Sequence, residues 1–294
     1  MYILMIAHIG ETLGHLVRGL SIADELTSHG IHVEIVASSE AEWLLKTWKH
    51  SYTHHKLRWR FSHNSCDPDK PSSAFLNHVC ESNLDVLKLL KELRPDIVIG
   101  LPGIFTTQAA RHLGIPHVSI LHGPYLSPIV RLKEMTATES AVIEFAKKIF
   151  SGGCVDSIYS YLSQMLGIPE LTYDTFLRTE TIFVPQPGLP LPNLPNIHSV
   201  NFIRASFGPP FYFHENDLRD ACYITFGSGN PCDINKIVQL TQAVFPFVII
   251  STGHNQLRIA PKGVITKPFI ASSSLSGRVT AVISHGGIGT VGTF

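Results

Sequence analysis

The sequence predicts an α/β protein of two parallel-sheet domains, the second incomplete, and three observations carry that prediction. Short apolar runs alternate with longer segments of helical spacing over the first 120 residues, the alternation restarts near Ala221, and a proline-rich stretch lies between. Alternation of this kind marks βαβ units, whose crossovers force their strands to run parallel. The 294 residues are enough for two cores, at roughly 100 to 200 residues per domain. Apolar residues make up 44% and charged residues 16%; an ordinary globular chain has about 25% charged, so disorder driven by charge is excluded.

Tyr2 to Ala7 is an unbroken apolar run without a basic lead-in or a small-residue cleavage site, so it reads as a buried strand and not as a secretory signal. Leu16, Leu20, Ala23 and Leu26 then recur with helical spacing, predicting a helix that Gly30 terminates. Val33 to Ala37 is the next strand. Helices are expected over Glu40 to Trp48 and over Asn83 to Leu93, the second closed by Arg94-Pro95 because a residue before proline is driven out of the helical region. Asp96 to Gly100 follows as a strand, Thr106 to Leu113 as a helix closed by Gly114, and Pro116 to Ile120 as a further strand. From Glu134 to about Leu166 the spacing is helical, with a break at Ser151-Gly152-Gly153. Pro185, Pro187, Pro190, Pro192 and Pro195 form a stiff stretch that cannot pair within a central strand.

A boundary near residues 205 to 220 gives domains of 1–205 and 206–294. In the second, strands are expected over Ala221 to Phe226, Phe247 to Ser251, Gly263 to Thr266 and Ala281 to Ser284, with a helix near Ile234 to Val244. A doubly wound sheet needs helices over both faces. The sequence stops at Val291-Gly292-Thr293-Phe294, in what reads as the first turn of a helix. The expectation is therefore an incomplete second domain, with Val248, Ile249, Ile250, Val282 and Ile283 short of cover.

Lys plus Arg and Asp plus Glu both count 23, so no general field attracts nucleic acid or an anionic membrane. No apolar stretch approaches the roughly 18 residues of a membrane span. Five cysteines, an odd number with no Cys-x-x-Cys pair, argue against a disulfide framework or a zinc ribbon. The cytoplasm is the expected compartment. His50, His54 and His55 have spacings that could set two imidazoles on one helix face, but no carboxylate or cysteine completes a metal site, and they read as surface residues.

The sharpest local signal is Ile283-Ser284-His285-Gly286-Gly287-Ile288-Gly289-Thr290, a strand running into a glycine-rich turn at a helix start. Glycines let backbone N–H groups approach an anion, and the helix start adds partial positive charge. A phosphate cradle and a bare βα turn are both consistent with the spacing. His285 and Thr290 could add side-chain donors. Gly287-x-Gly289-x-x-Gly292 also matches the dinucleotide fingerprint in form, but no acidic residue follows about 20 positions later for a ribose. Ser228, between Gly227 and Gly229 after the strand that opens the second domain, could donate to a phosphate in the same way. His15, entering the first helix after the first strand, stands where open α/β sheets bind ligands, and a helix start favours a neutral imidazole that accepts a proton. A capping or packing histidine is the other reading.

Taken together these segments resemble the GT-B glycosyltransferases of the UDP-glycosyltransferase type. Gly14-His15-Leu16-Val17-Arg18-Gly19-Leu20 through Gly30 is similar to the family's first loop and helix, Tyr223 to Ser228 to its domain-opening strand, and Ser284 to Val291 to its donor signature. Pro95-Asp96-Ile97-Val98-Ile99 and Leu113-Gly114-Ile115-Pro116-His117-Val118-Ser119 fit in order. The resemblance implies two Rossmann-like domains, acceptor held by the first and nucleotide-sugar, UDP or dTDP linked, by the second. It implies inverting transfer to a hydroxyl of a small, partly apolar acceptor, with no metal and no further cofactor. His15 would be the base, and Ser228, His285, Gly286, Gly287, Gly289 and Thr290 would receive the diphosphate.

Three departures stand out. Where many members place an aspartate behind the histidine this chain has Gly100-Leu101, and Asp96 lies at the opposite end of that strand. Phe269-Ile270-Ala271-Ser272 lacks the family's Pro-Gln. The residues that hold the donor sugar in the family fall beyond Phe294, which leaves open a non-catalytic binding module or a transferase completed by a partner chain.

Overall fold

The computed structural model describes residues 1–7, 13–57, 73–126, 154–188, 191–203, 218, 220–226, 233–252, 261–284 and 290. The expected helix over 134–153, most of the expected domain boundary and most of the glycine-rich turn lie outside them. The chain divides into two compact units, Met1–Gly10 with Ile22–Phe202, and Glu11–Ser21 with Ile203–Phe294.

One sheet is built from β1 (Tyr2–Ala7), β2 (His32–Ser38), β3 (His54–Leu57), β4 (Ile97–Leu101), β5 (His117–Ile120), β6 (Thr181–Val184) and β7 (Ile197–Ser199). Their spatial order is β3-β2-β1-β4-β5-β6-β7, every neighbouring pair parallel. Parallel neighbours cannot be joined by hairpins. The chain between them forms α1 (Gly14–Ser28), α2 (Glu42–Thr47), α3 (Ser73–Leu93), α4 (Thr107–His112), α5 (Cys154–Leu166) and α6 (Tyr173–Thr179). Leu4 and Ile6 of β1, Val36 of β2 and Val98 of β4 pack with Val86 and Leu90 of α3 and with Ala109 and Ala110 of α4. A second cluster joins Phe105, Leu121, Tyr159, Tyr173, Phe176 and Ile182 under α5 and α6. Gly30 and Gly114 take positive φ, 76° and 66°, after α1 and α4, the left-handed stop that glycine adopts without steric cost.

The second sheet has β8 (Ala221–Thr225), β9 (Phe247–Ser251), β10 (Val264–Lys267) and β11 (Ala281–Ser284) in the order β10-β9-β8-β11, again all parallel. Its helix α7 (Ile234–Gln242) is capped by Asp233, whose carboxylate accepts the Lys236 N–H at 3.2 Å. Among the described residues no helix is long and apolar enough to cross a membrane.

Several expectations are corrected. The helix over Asn83 to Leu93 begins ten residues earlier, at Ser73. His54 and His55 lie on β3 and not on a helix; His55 Nε2 meets Glu34 Oε2 at 2.6 Å and His54 Nε2 meets the Ala37 carbonyl at 3.2 Å, so both rings are half-buried hydrogen-bonding groups. The expected uncovered face of β9 is absent: Val248, Ile249 and Ile250 are at most 1% exposed. Ile234 and Val238 of α7 cover one face of β8 and β9, and Ile270 and Leu275 cover the other. Val282 and Ile283 of the edge strand β11 are half-buried.

Asp24 of α1 is a buried carboxylate that collects four neighbours. His50 Nδ1 and Tyr52 OH lie 2.6 Å from Oδ1, Lys49 Nζ lies 2.9 Å from Oδ2, and Trp48 Nε1 donates at 3.1 Å. Burial pushes the Asp24 carboxyl up, but the hydrogen bonds from Tyr52, His50, Lys49 and Trp48 outweigh it and hold the group below its ordinary value. A carboxyl depressed in the folded state contributes stability above the unfolded-state value of about 3.9, and that contribution is lost as the pH falls through the folded value. Asp24→Asn turns an amide NH₂ toward these donors and is expected to cost about 2 to 3 kcal/mol at pH 7. Urea melts from pH 7 to pH 3 should show a shallower acid limb for the variant, and parallel limbs would remove Asp24 from the acid response.

Candidate functional site

Open parallel sheets bind ligands beyond the carboxyl ends of their strands, at the point where the strand order reverses. In the first sheet that point lies between β1 and β4, because β2 and β3 lie on one side and β5 to β7 on the other. In the second it lies between β8 and β11. Both pairs stay in register to their last residues, Ala7 beside Leu101 and Thr225 beside Ser284.

His15 sits in the first turn of α1, the helix that leaves β1, and is half-buried. Its Nδ1 lies 3.3 Å from Nη2 of Arg18, three residues on and one turn along the same helix, and Arg18 is 7% exposed. Arg18 lies within the Gly14-to-Gly30 segment, and its spacing from His15 is the sequence signal for that contact.

Thr290 is helical and half-buried. Ser228, His285, Gly286, Gly287 and Gly289 lie outside the described residues, which end at Phe226 after β8 and at Ser284 after β11. In sequence they directly follow the strands that form the second reversal point.

The end of β4 leaves no room for a side chain at Gly100. A Cβ on Gly100 would stand 2.5 Å from Gly103 Cα and 2.6 Å from Thr106 Oγ1, and one on Gly103 would stand 1.9 Å from Ser119 Oγ. The turn after β4 is folded so tightly onto β5 that a side chain at Gly100 does not fit. Asp96 lies at the other end of the strand, where its Oδ2 accepts the Tyr2 N–H at 2.7 Å.

Behind the turn lies a buried polar group whose pairing the sequence did not reveal. His117 Nδ1 meets Glu180 Oε1 at 3.0 Å, and His117 Nε2 meets Thr106 Oγ1 at 2.9 Å. Thr107 donates to Glu180 Oε2, and Arg111 Nε lies 3.5 Å from the same oxygen. Burial raises the Glu180 carboxyl, but His117, Thr107 and Arg111 outweigh it and hold it below the ordinary value. At the carboxyl end of β5 the Gly123 N–H donates to Gln186 Oε1, joining the segments that follow β5 and β6.

No family model matches the chain. A PGL/p-HBAD biosynthesis glycosyltransferase of Mycobacterium tuberculosis is 25% identical over 223 residues, 68% of this chain and 51% of that protein, so the chain spans about half the length of that curated relative. Among solved structures, CalG4, the calicheamicin glycosyltransferase, superposes with a TM-score of 0.67 at 15% identity, over 99% of this chain and 76% of that one. The glycosyltransferase SsfS6 of Streptomyces sp. SF2575, complexed with thymidine diphosphate, superposes with a TM-score of 0.66 at 16% identity, over 100% of this chain and 78% of that one. With two parallel sheets and likeness over nearly its whole length to these enzymes, the chain is built on the GT-B-like glycosyltransferase fold.

Proposed function

We propose that the protein is a glycosyltransferase that moves a sugar from a UDP- or dTDP-sugar to a hydroxyl of a small, partly apolar acceptor, with inversion and without a metal. In this reading residues 1–205 hold the acceptor and residues 206–294 hold the nucleotide-sugar. The observation that supports it is that each candidate motif follows, in chain order, a strand that borders a reversal point. His15 opens the helix after β1, and the Ser-His-Gly-Gly-x-Gly-Thr run follows β11. The likeness to SsfS6, whose structure holds thymidine diphosphate, supports a nucleoside diphosphate at the second point.

The chemistry fits those positions. Inverting transfer needs a base at the acceptor oxygen and stabilisation of a diphosphate that leaves with an electron pair. A histidine in the first turn of a helix serves the first need. Backbone N–H groups of Gly286, Gly287 and Gly289, with His285, Ser228 and Thr290 as side-chain donors, would serve the second, since preorganised donors gain most where charge develops.

The test is incubation with UDP- and dTDP-linked hexoses and a panel of phenolic and aliphatic alcohols, with and without a chelator. Products are read by mass spectrometry and their anomeric configuration by NMR. A glycoside of inverted configuration whose yield survives the chelator is expected. Saturable nucleotide binding with no product from any acceptor would place the protein among binding modules, and retained configuration would overturn the mechanism.

A further inference from the structure

A cavity of about 370 Å³ lies between α4 and the segment that joins α5 to α6. Sites for small ligands run from roughly 300 to 1,000 Å³ and combine apolar walls with a few polar groups. Gln108, Arg111 and His112 line it from α4, at the three- and four-residue spacings that share one helix face. Ile168, Pro169 and Leu171 supply an apolar wall from the joining segment. The two walls are tied together through Ser163 of α5, a buried residue. Gln108 Nε2 donates to Ser163 Oγ at 2.9 Å, and that hydroxyl donates to the Pro169 carbonyl at 3.3 Å. A cavity held in this way is preformed, so a ligand is spared part of the cost of ordering it.

Arg111 sets the polar end. Its Nε lies 3.5 Å from Glu180 Oε2 and its Nη2 donates to Thr179 Oγ1, so the protein holds one edge of the guanidinium. Nη1 has no partner among the described residues. A planar guanidinium fixed along one edge presents its remaining N–H groups in the geometry that suits a carboxylate. His112 adds a second nitrogen donor and Thr175 of α6 a hydroxyl. Glu170 is the only acid that lines the cavity, and it is exposed, where solvent screens its repulsion. Glu180 directly precedes β6 and bonds His117 at the start of β5, so this end of the cavity lies by the amino ends of those strands. The reversal point between β1 and β4 opens at the carboxyl ends instead.

We infer that this cavity is a second binding site, for a small organic acid whose carboxylate pairs with Arg111 and whose apolar body lies along Ile168, Pro169 and Leu171. The site is independent of the transfer reading, because none of its residues takes part in that chemistry.

The test is an NMR titration of the full chain, ¹³C-labelled at its isoleucine and leucine methyls, with sodium hexanoate, hexan-1-ol and hexylamine. These probes share one apolar chain and differ in the head group. The Ile168 and Leu171 methyl signals are assigned by their loss in Ile168→Val and Leu171→Met. They are expected to move saturably with hexanoate, roughly 5- to 10-fold more weakly with hexan-1-ol, and most weakly with hexylamine. Arg111→Gln should bring hexanoate down to the affinity of hexan-1-ol and leave the alcohol's own affinity unchanged. Glu170→Gln should tighten hexanoate by roughly 2-fold, since it removes the like charge. Equal affinity of hexanoate and hexan-1-ol for wild type, tightest binding by hexylamine, or an Arg111→Gln titration that matches wild type overturns the inference. Shifts that never saturate, or that spread over methyls remote from the cavity, show adsorption of an amphiphile and overturn it as well. If Arg111→Gln does not fold, the wild-type and Glu170→Gln titrations decide.

Discussion

Replacing His15 by alanine is expected to lower kcat for sugar transfer by roughly 10² to 10⁴, the share general-base catalysis usually supplies. That range corresponds to about 3 to 5 kcal/mol of transition-state stabilisation. The stability cost should be far smaller. His15 is half-buried in the first turn of α1, its Arg18 contact is 3.3 Å long, and alanine is the better helix former. Lost contact and gained propensity should therefore leave the melting temperature close to wild type. The loss should appear in kcat with the KM for the nucleotide-sugar little changed, because the base acts on the acceptor oxygen and not on the diphosphate. Single-turnover rates at saturating donor and acceptor, with melting curves from the same preparations, check both halves. Wild-type turnover would remove His15 from the chemistry, and a collapsed melting curve would show its role to be structural.

The strands were legible where both faces are buried. Tyr2–Ala7 and Phe247–Ser251 have the bounds their apolar runs indicate, because a parallel strand covered on both sides cannot carry polar residues in its middle. The outer strands of the first sheet escaped for the opposite reason. β3 reads His-His-Lys-Leu, and β7 has three residues, Ile-His-Ser, so neither offers a run to recognise. The first half of α3 was hidden by Asn83, a polar residue in its apolar stripe. The structure buries Asn83 to 1% and turns its amide to the Val79 carbonyl at 2.9 Å, so the stripe of Leu76, Val79 and Cys80 continues unbroken into Val86, Leu87 and Leu90. The place of His15 in the first turn of α1 was legible because it follows from chain order alone. The contact between Arg18 and His15 was not read, since it depends on side-chain directions that the spacing does not fix. Nor could the pairing of His117 with Glu180 be read, because 63 residues separate them and only the placing of β5 beside β6 brings them together.

That pair sets the largest stability effect expected in the molecule. Glu180 is 4% exposed and His117 8%, and the carboxylate takes up His117, Thr107 and Arg111 from three directions. Removing the carboxylate leaves the buried donors around it without their acceptor, at a cost of about 3 to 5 kcal/mol. Glu180→Ala is therefore expected to lower Tm by roughly 6 to 20 °C, taking about 2 to 4 °C per kcal/mol for a unit of this size. Glu180→Gln keeps one acceptor oxygen for either His117 or Thr107 but not both, and should cost about half as much. Because the Glu180 carboxyl is held below its ordinary value, its contribution is present above the unfolded-state value of about 4.3 and is lost as the pH falls through the folded value. The Glu180→Gln melt should thus approach wild type on acidification. Arg111, with its side chain 38% exposed, is screened by solvent and adds little. The decisive comparison is the double variant His117→Leu with Glu180→Leu, which takes out both polar groups together. Its cost should fall well below the sum of the two single changes, because no buried group is then left waiting for a partner. Strict additivity would mean that the 3.0 Å contact contributes nothing of its own, and that the two residues stabilise the fold only through their separate threonine neighbours.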